Sequence, residues 1–360
     1  MKVSLIRHPD MDIKLDFDDV LIVPQFSDIS SRSDVNLETE IVGKWGGKIQ
    51  GVPIIAANMD GVGTFSMNRS LSQHNVFTAV VKHKTVEDWE SEILHLQNRY
   101  DYNCIDKLFI TIGMSHDEFD KCNKIISFIK KYVNSDYTPK IVIDVANGYM
   151  KSFYPFIYKV REANPKSFIM AGTVTTPEAV ERVILSGADL ARVGIGTGAV
   201  CTTRRVAGVG YPLFSALSEC VPAAEAAGGG IQSDGGCVYP GDFSKSLAIG
   251  SKMVMAGSIF AGHDESEQEI HDGKVIFYGM SSYAAQQKHN QVKKYRASEG
   301  RIVNLPYKGL VEHTISDILG GIRSTCTYIG AKNVNELSKN AKFIRVNNQL
   351  NRSLESFTVK

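Results

Sequence analysis

The chain has 360 residues, of which 43% are hydrophobic and 22% charged, a profile that excludes a disordered or fibrous polypeptide and suits one large or two ordinary domains. Lys and Arg number 40 against 39 Asp and Glu, so the formal net charge is +1, without the basic surplus of a nucleic-acid binder. No apolar stretch approaches the roughly 18–20 residues that span a bilayer.

In chain order, the first segment places Arg7, His8 and Asp10 where a signal peptide needs its apolar run. Six cysteines without a CxxC pair argue against a zinc ribbon or disulfide scaffold and suit a reducing compartment, so a cytoplasmic location is expected. Short apolar runs then begin at Val52, Val76, Lys107, Lys140, Ser167, Asp189, Gly230 and Lys252. They are continuous rather than alternating, the pattern of strands buried on both faces. Between them lie segments with helical spacing: Thr85–Leu96, His116–Tyr132 and Thr176–Gly187. The last has Thr176 as cap, Pro177 in the first turn and Gly187 to close it.

Strand then helix, eight times over about 250 residues, predicts an α/β protein of the (β/α)8 barrel class. An open doubly wound sheet is the alternative, because periodicity does not register closure. No interval leaves room for an inserted domain. The expected organisation is one barrel with strands over about 52–257, a flap over 277–309 and a C-terminal extension over 310–360.

The longest interval separates the sixth and seventh strands and carries the first motif, Val193–Pro212. Gly194, Gly196 and Gly198 permit tight turns, and Cys201 follows at the strand end where barrel active sites form. It is a candidate nucleophile, with Thr202, Thr203 and Arg204 as polar neighbours. Most lone cysteines are buried apolar groups, and Cys104, Cys122 and Cys220 are read that way. The second motif joins Ser233–Asp242 to Met255–Ser258, the ends of strands seven and eight, where barrels commonly hold phosphate on backbone amides. Gly235, Gly236 and Gly257 allow close approach, or serve only as turns. Asp234 would repel phosphate and suits a ribose diol. The third, Phe277–Gly309, is polar and basic and is expected to cover the barrel mouth, with a plain surface loop equally open. The Gly pair in Ile318–Ala331 fits a close backbone, subunit or ligand contact. Asp144, Asn147 and Lys82 also fall at strand C-termini. The nine His show no metal-ligand spacing.

The runs GTGAVCTTR (Gly196–Arg204), SDGG (Ser233–Gly236), GMSS (Gly279–Ser282), YRASEG (Tyr295–Gly300) and LPYKG (Leu305–Gly309) resemble the IMP dehydrogenase and GMP reductase family. The resemblance runs from about Leu15 to Gln349. YRASEG, DVANGY (Asp144–Tyr149), GVGYP (Gly208–Pro212) and the lack of room for a regulatory CBS pair follow the GMP reductase branch.

What the resemblance implies is reduction of GMP by NADPH to IMP and ammonia, with Cys201 attacking C2 of the purine and Thr203 and Glu299 handling protons. GMP would contact Asp234, Gly235, Gly236, Gly257 and Ser258. It would also contact Gly279, Met280 and Ser281, and Arg296, Ala297, Ser298 and Gly300. The nicotinamide cofactor would meet Lys82, Asp144, Val145, Ala146, Tyr295 and the stretch Ser324, Thr325, Cys326, Thr327. Ser31 and Arg32 would come from a neighbour in a homotetramer. Carbonyls of Gly196 and Gly198 correspond to a potassium site, hard oxygen ligands for a hard cation. Thr197, Ala199 and Ser258 depart from the Pro, Ser and Gly common at those places. The alternatives are IMP dehydrogenase activity from the same Cys201, or a non-catalytic nucleotide-binding barrel. Neither nucleic acid nor membrane is an expected partner.

Overall fold

The computed structural model describes residues 13–290, 292 and 297–346. Eight parallel strands form a closed barrel: β1 (Ile54–Ala56), β2 (Phe77–Val80), β3 (Leu108–Ile112), β4 (Lys140–Asp144), β5 (Phe168–Val174), β6 (Leu190–Val193), β7 (Gly230–Asp234) and β8 (Met253–Ala256). Each strand pairs with the next, and β8 returns to β1 with Val254 opposite Ile54, so the sheet has no edge. This settles the barrel against the open sheet. The apolar runs are continuous because both faces of nearly every strand are buried, one against the helices and one inside the barrel. Phe109 meets Phe77 and Phe168 edge-to-face, with ring centres 5.7 and 6.3 Å apart. Since β3 and β5 are not adjacent, the second contact runs through the barrel interior.

The outer layer comprises α1 (Phe65–Leu71), α2 (Val86–Asn98), α3 (His116–Tyr132), α4 (Phe153–Ala163), α5 (Pro177–Leu185), α6 (Leu213–Ala226), α7 (Pro240–Ala248) and α8 (Val311–Ile329). α2 and α3 open with capping boxes, Thr85 with Asp88 and Ser115 with Glu118. Thr176 does stand before α5 in extended conformation, but its side chain caps nothing; its hydroxyl accepts from Tyr149 instead. Pro177 supplies the pre-set first turn.

The segment expected as a C-terminal extension differs. Its first part, α8, packs against α7 and α1 and so completes the ring as the eighth helix. The sequence obscured this because an antiparallel hairpin, Lys274–Tyr278 with Ile302–Pro306, stands between β8 and α8. Gly321 of the Gly pair lies where an added Cβ would meet Pro240 at 2.7 Å, so α8 needs that glycine to approach α7.

A second hairpin, Thr39–Val42 with Lys48–Gly51, precedes β1, and the turn between its strands reaches the N-terminal end of β6. There Asp189, fully buried, accepts from Arg161 Nη2 at 2.7 Å and from the backbone amides of Ile169 and Trp45 at 2.9 and 3.2 Å. This paired network closes the end of the barrel opposite the strand C-termini. No helix among the described residues is long and apolar enough to cross a membrane.

Candidate active site

The C-terminal ends of the barrel strands surround a cavity of about 310 Å³. Its wall between β6 and β7 is the loop carrying Gly196, Gly198, Cys201 and Thr203. Cys201 alone among the six cysteines is not buried. Burial pushes the thiols of Cys104, Cys122, Cys220 and Cys326 up, to about 11 for the first and about 12 for the others. Cys237 also borders the cavity but is buried, and burial raises its thiol well above the ordinary value. Among the described residues, Cys201 is the one cysteine that offers an accessible thiol to a ligand.

A chain of hydrogen bonds leads from it. The Cys201 thiol donates to Thr203 Oγ1 at 3.3 Å, and that hydroxyl donates to Glu299 Oε2 at 2.7 Å. Glu299 lies 98 positions further on, just before the hairpin strand Ile302–Pro306, and comes close to Cys201 because the two backbones are stitched together. The Thr202 amide donates to the Glu299 carbonyl at 2.9 Å, the Arg301 amide to the Val200 carbonyl at 2.9 Å, and Cys201 and Gly300 form an antiparallel bridge. Gly279 and Gly300 cross so closely that a Cβ added to Gly300 would stand 3.0 Å from the Gly279 Cα. Gly279, Met280 and Ser281 thereby join the same cavity.

The hairpin is tied down at its other side by Asp60, at the end of β1. Its carboxylate accepts from Tyr278 Oη at 2.8 Å and pairs with His289 Nε2 at 2.8 Å and Lys288 Nζ at 3.4 Å. Burial pushes the Asp60 pKa up, but the bonds from Tyr278 and His289 and the Lys288 charge outweigh it and hold the group below its usual range.

Asp234, Gly235, Gly236, Gly257 and Ser258 line the β7–β8 side, and Asp144, Val145 and Ala146 line the β4 side. Between the two aspartates stands Arg192 on β6, 3% exposed, with Nη1 2.7 Å from Asp144 Oδ1 and Nη2 2.8 Å from Asp234 Oδ2. Burial raises the pKa of both carboxylates and Arg192 lowers it. At Asp144 the cation wins, aided by Lys82; at Asp234 burial wins, aided by the Asp144 charge. Thr197 Oγ1 donates to the Asp234 carbonyl at 2.7 Å and so ties the Cys201 loop to β7.

Other expected residues lie elsewhere. Ala297 and Ser298 are exposed beside Glu299, with the Ser298 hydroxyl donating to the Gly300 carbonyl at 3.2 Å. Ser31 and Arg32 are exposed on a turn that packs against α8, the helix that carries Ser324, Thr325, Cys326 and Thr327. None of these six borders the cavity of this chain. Cys326 is fully buried, so its side chain is out of a ligand's reach; Thr325 donates to Ser244 Oγ at 2.8 Å. Tyr295 and Arg296 lie outside the described residues. Sequence reasoning passed over Arg192 and Asp60. The signal for Arg192 was a charge inside an apolar strand run, Leu190–Val193; nothing local marked Asp60.

Barrel, mouth cavity and thiol together define a (β/α)8 enzyme-like site built around one cysteine. Residues 14–354 match the model of the IMP dehydrogenase / GMP reductase domain, and the chain belongs to that family. Among its relatives, the GMP reductase of Caenorhabditis elegans is 48% identical over 96% of each chain. GMP reductase 2 of Mus musculus is 47% identical over 96% of this chain and 97% of its own. A GMP reductase of Escherichia coli is 48% identical over 95% and 97%.

Proposed function

We propose that this chain reduces GMP with NADPH, giving IMP, ammonia and NADP+ with uptake of one proton, in purine-nucleotide interconversion. The observation that carries the reading is the Cys201–Thr203–Glu299 chain, at 3.3 and 2.7 Å, on the wall of a cavity that also exposes Asp234.

An amino group on an aromatic ring leaves poorly, so a polarizable nucleophile must add first and a proton must reach the nitrogen. Cys201 Sγ adds to C2 of the purine as Thr203 takes the thiol proton toward Glu299. The same pair returns a proton to the departing nitrogen, which leaves as ammonia and a Cys201 thioimidate. Hydride delivered to C2 and loss of the sulfur then give IMP and free Cys201. When bound, NADPH supplies that hydride. Asp144, Val145 and Ala146 suit it because they border the Cys201 cavity, and the Asp144 side chain keeps 29% of its surface exposed to accept from a ribose hydroxyl.

In this reading Asp234 accepts from the GMP ribose. The amides near Gly235, Gly236, Gly257 and Ser258 take the phosphate, and Gly279 to Ser281 with Arg296 to Gly300 embrace the base. Ser324, Thr325, Cys326 and Thr327 serve the cofactor through backbone and hydroxyl groups, and Ser31 and Arg32 serve the cofactor of a neighbour in a cytoplasmic homotetramer, which the exposure of these two residues away from this chain's own cavity supports. Tyr295 and Lys82 complete the cofactor contacts. A potassium ion would rest on the carbonyls of Gly196 and Gly198 and fix the loop. The Gly198 carbonyl accepts the Cys201 amide at 3.0 Å and keeps a lone pair for it.

The test is Cys201→Ala. The variant should bind GMP and turn over none. Retained ammonia release would overturn the covalent route.

A further inference from the structure

The guanidinium of Arg192 borders the cavity between Asp144 and Asp234, and the roles assigned above leave it unused. It is buried at 3% exposure and contributes one terminal nitrogen to each of two carboxylates that line the cavity. The crossing is built in. Arg192 passes over β5 at Gly172, where an added Cβ would stand 2.6 Å from both the Arg192 Cβ and its carbonyl oxygen. Reaching both acids leaves Arg192 Nε without a partner among the described residues. Asp144 and Asp234 keep 29% and 19% of their side-chain surface exposed, so each binds the guanidinium and can still accept from a ligand.

We propose that Arg192 is a positioning residue that couples the two ends of the site, so that filling the Asp234 end tightens binding at the Asp144 end and the reverse. The inference rests on the reading above, with Asp234 on the substrate ribose and Asp144 on the cofactor. The physical cause is a shared cation. Two acids on one guanidinium repel each other in a poorly solvated site and compete for the same charge. A ligand that fixes one carboxylate also fixes the guanidinium bonded to it, so the other carboxylate is already held in place when its own ligand arrives. Linkage makes the effect reciprocal, and couplings of this kind are commonly about 5–150-fold in affinity.

The experiment is calorimetric titration of the full chain, carrying Cys201→Ala so that no thioimidate forms, with GMP alone and with saturating NADP+, which carries no hydride. This Cys201→Ala parent, in which the further substitutions are made, should bind GMP at least about fivefold tighter with NADP+ present. Arg192→Lys keeps the charge but its single ammonium lacks the fork that spans both acids, so the factor should fall below about twofold. Asp144→Asn, which does not touch GMP in this reading, should abolish the factor as well, and it decides the matter if Arg192→Lys does not fold. A purely structural Arg192 would change thermal unfolding and leave the coupling factor in place. Full coupling in the folded variants, or less than twofold coupling in the parent, overturns the inference while GMP-dependent turnover by the wild type leaves the reading of the site standing. No GMP binding by the parent overturns both.

Discussion

Replacing Thr203 by Val removes one oxygen and keeps the branched shape of the side chain. In this structure that oxygen is the middle of the path: it accepts from Cys201 Sγ at 3.3 Å and donates to Glu299 Oε2 at 2.7 Å. Without it, among the described residues, the thiol has no acceptor and the carboxylate no side-chain donor. A positioned acid–base relay contributes about 10²–10⁴ in rate, which is about 3–5 kcal/mol of barrier at 1.36 kcal/mol per tenfold. Thr203 is half-buried at the cavity wall, so global stability should change by less than about 1 kcal/mol. Steady-state assay of NADPH consumption with GMP should therefore show kcat lowered about 10²–10⁴-fold, with the GMP KM within about threefold. Thr203→Ser, which keeps the oxygen, should recover most of the rate. Turnover by Thr203→Val within threefold of wild type, with an unchanged melting temperature, would refute the relay.

Glu299→Gln should slow ammonia release more than hydride transfer, because the two steps need different protons; equal slowing in rapid-quench experiments counts against that assignment. Asp189→Asn should lower unfolding free energy in urea by about 3–5 kcal/mol, since it leaves Arg161 buried beside a neutral partner and sets an amide where three donors converge. A loss below about 1 kcal/mol would show that the network relaxes. Thr197→Val breaks the 2.7 Å tether to the Asp234 carbonyl and should raise the GMP KM about three- to tenfold, consistent with one net hydrogen bond. Rescue by Thr197→Ser checks that the hydroxyl, not the packing, is responsible.

The eight strands were legible because burial on both faces leaves an unbroken apolar run, and each run began within two residues of its strand. Their closure was not, since pairing β8 with β1 is a contact between the two ends of the series and leaves no local trace. The eighth helix was hidden for a related reason. The hairpin between β8 and α8 broke the strand-helix rhythm, and Val311–Ile329 read as a tail. At the site, Cys201 could be read from its place at the end of β6, whereas its link to Glu299 came only through the family resemblance and was met in space through backbone bonds between distant segments. Arg192 was missed although its charge interrupts an apolar strand. A buried guanidinium is explained only by its partners, and Asp144 and Asp234 lie 48 and 42 positions away.

The most direct measurement follows absorbance of NADPH and ammonia together, using purified protein with GMP and potassium. The account predicts steady loss of NADPH matched by ammonia, mole for mole, and neither in Cys201→Ala. Silence with GMP, or NADH formation from IMP and NAD+ instead, would contradict it.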